Sequence, residues 1–297
     1  AVDGLVALFV LDGQPNRVVR DQSGREPALD VTVADASAKS SGPQRSLRSA
    51  TRMTTPSAAS RLSDAVRTTH ELTVEVWLRP QDTRQQGPAR IITLSANPSE
   101  RNFTLGQDGD RFEFRLRTTS TSLNGTPATA TSTGTVRPGE LTHLAVTRDR
   151  TGEVVVYLDG EVSTRGRATG TLDNWNRDYP LTLANELSGD RPWLGELHLA
   201  AVYSRTLSAD EVRQNFQAGV PGAVDYEQLL PPAAARPIDF VADVQPLLRQ
   251  RCFECHAAGN EEGGLNLGIR SRTLEGGAGG PVLVPGRSAE SRLIHLV

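Results

Sequence analysis

Between Leu72 and Arg79 the chain alternates without interruption. Leu72, Val74, Val76 and Leu78 fall on one side of an extended backbone, and Thr73, Glu75, Trp77 and Arg79 on the other. A period of two belongs to a strand, because the apolar stripe of a helix repeats at about 3.6. The pattern returns at Phe112, Phe114 and Leu116 against Arg111, Glu113, Arg115 and Arg117, after Phe103, Leu105 and the turn Gln107-Asp108-Gly109-Asp110, which predicts a hairpin. Leu141 to Thr147 and Glu153 to Leu158 form a second hairpin across Asp149 to Gly152. Further strands are expected at Gly4 to Asp12, Pro180 to Ala184 and Trp193 to Tyr203. Seven or more antiparallel strands with few helices predict a mainly β protein, folded as an antiparallel β-sandwich.

Helix signals in this part of the chain are read only at its end. Ser208 and Glu211 form a capping box, Val212 and Phe216 are an i, i+4 apolar pair, and Gly219 stands where a C′ glycine belongs, so this helix should close a first domain over 1–219. Thr118 to Pro138, rich in Ser, Thr, Gly and Ala, reads as a long loop or weak edge strand. Asn102-Phe103-Thr104 and Asn124-Gly125-Thr126 match the N-glycosylation pattern, a common coincidence. His70, His143 and His198 show no metal-site spacing and read as core-edge or surface residues. Trp77, Trp175 and Trp193 suit a sugar platform or, equally, a sandwich core.

Residues 220–237 carry Pro221, Pro231, Pro232, Pro237 and an alanine run, the composition of a semi-rigid linker. A second domain, 238–297, follows. Phe240, Val244, Leu247, Leu248 and Cys252 share a helical face, and Pro246 fits only the first turn of such a helix, which should therefore start near Val244. It leads into Cys252-Phe253-Glu254-Cys255-His256, which holds the only two cysteines of the chain. Two thiols three apart share a helical face, and an imidazole follows directly. Covalent attachment of haem c needs this set: a thioether from each sulfur and a proximal iron ligand from His256. A redox pair of the thioredoxin kind would need a βαβ context, and a zinc site would need a second Cys/His pair; neither is found.

Composition narrows the remainder. A net charge of −3 over 297 residues, with a pI near 6.0, makes no electrostatic case for nucleic acid or an anionic membrane surface. No apolar run approaches the roughly 20 residues of a bilayer span, so no membrane span is expected in this chain. The chain opens at Ala1 and its single methionine is Met53, which we read as fitting an exported protein that has lost its leader, or a fragment. No nucleophile stands at recognisable spacing from a base, and no phosphate loop lies between a strand and a helix, so an enzyme of either kind is not expected.

Two resemblances rest on these residues. Asp3 to Phe9, Asp21-Gln22-Ser23-Gly24, Leu72 to Trp77, Leu141 to Thr147, Val156 to Gly160, Leu181 to Glu186 and the stretch Trp193 to Phe216 together resemble the laminin-G/concanavalin-A-like jelly-roll family over about 1–219. That resemblance implies a jelly roll binding a glycan or a cell-surface protein through its rim loops, often beside calcium (Ca2+). Asp12, Asp21 and Glu196 would be its oxygen donors here, although turn formation accounts for the aspartates without a metal. Relatives often carry an acidic residue where this chain has His198 in Gly195-Glu196-Leu197-His198-Leu199. After the Cys-x-x-Cys-His motif, Gly263-Gly264-Leu265, Gly276-Gly277, Gly280-Pro281 and Val284-Pro285-Gly286 follow in the order of the planctomycete-type cytochrome c domain, which the second domain resembles as a partial copy.

The second resemblance implies a small, mainly helical cytochrome c-like domain. Its haem would be held by Cys252, Cys255 and His256, and Pro281 would offer its carbonyl to His256 Nδ1. Relatives place a distal methionine in a Met-Pro-Pro segment that comes after the last residue here. His295 is the next candidate for that position, an open or water-bound site the third, and Met53 the last. The expectation is an extracytoplasmic electron carrier with a redox protein as partner, positioned by its jelly roll. The alternative is an adhesion or assembly protein that works through the jelly roll alone, its haem domain vestigial.

Overall fold

The computed structural model describes residues 3–11, 18–34, 47–49, 52–220, 238–286 and 291–296. They fall into two compact units, one carrying the described residues up to Val220 and one carrying those from Ile238 on. Apart from Val220, the proline-rich stretch 220–237 lies outside the described residues, as does Asp12.

The first unit is an antiparallel sandwich. Among the described residues one sheet has seven strands. Its order is Leu5–Val10, Gly195–Tyr203, Leu72–Pro80, Thr142–Arg148, Glu153–Leu158 and Glu161–Arg167, and Leu47–Ser49 also pairs with Gly195–Tyr203. The other sheet has eight strands, in the order Thr129–Ala130, Arg111–Leu116, Glu100–Asp108, Ala89–Asn97, Leu181–Leu183, Met53–Thr54, Val31–Val33 and Val18–Val19. Leu72, Val74, Val76 and Leu78 face inward as their alternation requires. They join Phe9, Leu144 and Val156 from their own sheet and Met53, Leu94, Phe103, Leu105 and Leu183 from the other in one continuous core. Each such side chain contributes about 1.5–3 kcal/mol by leaving water.

Two elements of this unit escape the periodic reading. The nine-residue strand Ala89–Asn97 pairs with Glu100–Asp108 through three register shifts, so both Ile91 and Ile92 are buried and no clean alternation survives. The helix Ser60–Thr69 starts at Ala59 with no side-chain cap, which removes the usual signal, and it holds its place by burying Leu62 and Val66. Helix is therefore not confined to the end of the domain. Ser60–Thr69 ends at His70, which takes the left-handed conformation (φ 57°) more often adopted by glycine.

The expected terminal helix is present at Ala209–Ala218. Ser208 Oγ accepts from the Glu211 backbone N–H at 3.3 Å, and Glu211 Oε2 accepts from the Ser208 N–H at 2.9 Å. The helix lies on the outer face of the seven-stranded sheet, where Val212 and Phe216 pack with Trp77, Tyr157, Leu199 and Tyr203 in a second apolar cluster. The outer face of the strands beneath the helix is consequently buried as well, while Glu161–Arg167 at the sheet edge stays largely open to solvent. The last strand supplies side chains to both faces, because a bulge between Leu197 and Leu199 shifts the register and puts Leu197 in the inner core and Leu199 in the outer cluster.

The second unit is built of short pieces. A wide π-type turn at Phe240–Val244 is capped by Asp239, whose carboxylate accepts from the Ala242 N–H at 2.7 Å. The helix Gln245–Arg251 follows with Pro246 in its first turn. Phe253–His256 makes one further helical turn, and Arg270–Glu275 and Arg292–Leu296 are short helices joined by glycine turns.

Candidate functional site

Cys252 ends the helix Gln245–Arg251, its N–H bonded to the Leu248 carbonyl at 2.9 Å, and its own carbonyl opens the next turn. That carbonyl accepts from the Cys255 N–H at 3.2 Å and the His256 N–H at 2.9 Å. Backbone bonds thus bring both sulfurs and the imidazole into a single turn, in which both thiols are free and half-buried. The chain then reverses. His256 pairs with Glu261, Ala257 pairs with Asn260, and the His256 carbonyl accepts from the Leu267 N–H at 2.7 Å.

A polar knot that the motif reading did not find holds this reversal. Buried Asn266 donates to Glu261 Oε1 at 2.6 Å and accepts from the Gly268 and Ile269 N–H groups at 2.9 and 3.1 Å. Arg272 donates to Glu261 Oε2 at 2.9 Å, and the Thr273 hydroxyl donates to the Asn266 carbonyl at 2.9 Å. The only sequence signal was an Asn beside a glycine turn.

The donor set suits haem c: two thiols and one imidazole on one turn, with His256 Nδ1 buried and without a hydrogen-bond partner among the described residues. The unit buries few of its large apolar side chains, Leu267 and Val282 among them, while Phe240, Val241 and Leu247 are more than half exposed. It can therefore take up a bulky apolar group.

The bond from His256 Nδ1 to the Pro281 carbonyl is not formed; Pro281 is exposed beside the turn Gly277–Gly280, whose bond closes that loop on itself instead. His295 belongs to the helix Arg292–Leu296. Met53 is fully buried in the sandwich core, paired across strands with Val33 and Leu183, and presents no free thioether.

On the sandwich, Asp21 organises a loop. Its Oδ1 accepts from the Leu8 and Ser23 N–H groups at 3.1 and 2.9 Å, and its Oδ2 from Leu29 N–H at 3.0 Å and Arg61 Nη2 at 2.7 Å. Both oxygens are thus taken up by donors around the loop, the turn-forming role open to an aspartate. Glu196 pairs with Arg79 at 3.4 Å and stands 3.8 Å from His198. Among the described residues searched, no three His, Cys, Asp or Glu side chains converge as a metal site would require. Trp77, Trp175 and Trp193 are all buried, which makes them core rather than a sugar platform. Asn102 is also buried, bonded to the Asn176 carbonyl at 2.7 Å, and is closed to glycosylation. Among the described residues no helix is long and apolar enough to cross a membrane.

Three comparisons bear on these units. The structure of botulinum neurotoxin type C, whose cell entry depends on interaction with two ganglioside molecules, is similar to this chain with a TM-score of 0.53 and 13% identity, over 73% of this chain and 52% of that one. The botulinum neurotoxin serotype C1 binding domain (TM-score 0.52, 13% identity) and the serotype D binding domain (0.51, 13%) match over the same shares. The chain thus spans about half the length of these structures. No curated protein sequence matches it. The Planctomycete cytochrome C family model matches residues 252–297, starting at the first cysteine of the motif. The model of the concanavalin A-like lectin/glucanases superfamily matches residues 54–213, more than half of the chain. The chain therefore belongs to the concanavalin A-like lectin/glucanases superfamily and carries, after that module, a cytochrome c-like domain.

Proposed function

We propose that the protein is an extracytoplasmic c-type cytochrome that passes single electrons to and from a redox protein partner, with the jelly roll positioning it on a glycan or a cell-surface protein. The observation that carries this reading is the Cys252–His256 turn, where two free thiols and an imidazole share one helical turn of a unit that leaves most of its apolar side chains outside. Haem c, when bound, supplies the one-electron iron centre. Cys252 and Cys255 would anchor it through their sulfurs, and His256 would supply an imidazole nitrogen to its iron. The Asn266–Glu261–Arg272 knot fixes the backbone that follows His256 and so restrains how the ring turns. Phe253 and Glu254 have no role in this scheme. The lectin-like fold supports the positioning role of the jelly roll, and no catalysis is proposed.

The test is made on the purified full chain. A Soret band is expected, with mass spectrometry locating haem on both Cys252 and Cys255. Cys252→Ala should leave one thioether and a shifted α-band. Protein that lacks both the band and the adduct would overturn the cytochrome reading and leave a binding or adhesion protein acting through its jelly roll. On the distal side, His295→Ala reports through spin state: an unchanged low-spin spectrum removes His295 as a ligand, and conversion to high spin assigns it.

A further inference from the structure

The least exposed of the described residues in the second unit is not apolar: it is Asn266, at 1%. A buried amide is kept where its bonds are made, and here they fix which way it points. Its Oδ1 accepts from the backbone N–H groups of Gly268 and Ile269, at 2.9 and 3.1 Å, so Nδ2 must face Glu261, to which it donates at 2.6 Å. Glu261 is itself the backbone partner of His256 in the antiparallel bridge of the reversal. The His256 carbonyl accepts from the N–H of Leu267, the residue next to Asn266, at 2.7 Å.

The backbone of His256 is therefore held at two places, by Glu261 and by Leu267, and the Asn266 side chain ties the two together. Arg272 steadies Glu261 by donating to Oε2 at 2.9 Å, and the Thr273 hydroxyl holds the Asn266 carbonyl at 2.9 Å. Neither thiol and no atom of the imidazole ring takes part in these bonds. The clasp is made by other protein groups alone.

We propose that Asn266 is a positioning residue for His256: its amide closes the clasp before haem is attached and so sets how the imidazole is presented to the iron. This role rests on the haem reading above. Donor and acceptor polarity decides it. Glu261 offers only acceptors, so Asn266 must supply the donor, and Asn266→Asp, nearly unchanged in shape, sets two carboxylates oxygen to oxygen inside the clasp. The pair can also be inverted. When Glu261→Gln is added, the new glutamine amide donates to the new aspartate while its oxygen still accepts from Arg272, and the second aspartate oxygen still accepts from Gly268 and Ile269.

Two readouts on the full chain at about pH 8, where ordinary carboxyl groups are ionised, test this. The first is hydrogen exchange by mass spectrometry over 256–269, in haem-free protein carrying Cys252→Ala and Cys255→Ala. Asn266→Asp should speed exchange there about tenfold, and the double change Asn266→Asp with Glu261→Gln should reverse the effect. The second is the ferric electron paramagnetic resonance spectrum of the chain with both cysteines, whose g-values follow how an axial imidazole is turned. It should shift in Asn266→Asp and return in the double variant. Exchange unchanged by Asn266→Asp overturns the clasp, as does a double variant no better than the single. Faster exchange with an unchanged spectrum makes Asn266 structural only and overturns the positioning role. Should Asn266→Asp not accumulate, a double variant that fails to match the parent protein in both readouts overturns the proposal equally. Absence of haem from the unaltered chain would overturn the reading beneath it, while the exchange arm still judges the clasp.

Discussion

Phe216 lies flat on Trp77, with ring centroids 5.8 Å apart and planes 13° from parallel, and through this stack the terminal helix reaches across the sheet. A half-buried aromatic anchor of this kind carries both burial and ring-stacking energy. Phe216→Ala should destabilise the first unit by about 2–3 kcal/mol, at or below the range for fully buried phenylalanines because one side of the ring stays wet. Urea unfolding of the full chain measures this. A loss under about 0.5 kcal/mol, the level of a surface change, would show that the helix is held by other contacts.

Glu211 makes the helix cap depend on pH. The Arg205 guanidinium bonds both its oxygens, at 2.9 and 2.6 Å, and with the Ser208 N–H holds the carboxyl down to about 2, against 4.5 for an ordinary glutamate. A depressed folded value gives stability that is present above about pH 4.5 and lost as the pH falls toward 2. Since the side chain is nearly one third exposed, its contribution is about 1 kcal/mol. Glu211→Gln should cost that amount near neutrality and almost nothing at about pH 2. A penalty that persists in acid would mean that the carboxylate charge is not what matters.

The sandwich also buries a full ion pair. Arg90 Nε meets Glu186 Oε2 at 3.1 Å with both side chains fully inaccessible. Burial pulls the Arg90 value down while Glu186 opposes it, and Arg101 is pushed down to about 9 by burial and then by the Arg90 charge. Glu186→Gln strips the carboxylate from two crowded guanidiniums and should cost about 3–5 kcal/mol in chemical denaturation. Replacing Arg90 and Glu186 together by leucine should cost far less. If the double variant is as unstable as the single, desolvated charge is not the cause.

In the second unit, Gly276 has φ +87° and a Cβ there would sit 2.1 Å from the Gly280 carbonyl oxygen. No side chain fits without opening the turn, so Gly276→Ala should cost about 2–4 kcal/mol. Limited proteolysis across 238–296 is the measurement, with faster cleavage expected in the variant. An unchanged pattern would show that the turn is not needed for protection.

Local spacing by itself determined much of this protein. The inner faces of Leu72–Pro80 and Arg111–Leu116, the capping box at Ser208 and Glu211, Pro246 in a first turn and the thiol–imidazole turn at Cys252–His256 all depend on residues within a few positions of one another. Their physics is local, so sequence alone carries it. The outer face of the sheet was decided by tertiary structure. Thr73, Glu75 and Trp77 read as the wet side of a strand, yet they are buried because a helix 140 residues away closes over them and bonds Glu75 through Asn215. A bulge at His198 redirects Leu197 and Leu199 to opposite faces, and register shifts hide the strand Ala89–Asn97. Asp21 was legible as a turn former, but only the fold shows Leu8, Leu29 and Arg61 filling its carboxylate. The spacing of the motif likewise brought two thiols and an imidazole into one turn, whereas the Pro281 carbonyl expected on His256 Nδ1 is not bonded to it, because that contact depends on where a glycine turn some 25 residues on comes to lie, and no nearest-neighbour pattern encodes that distance.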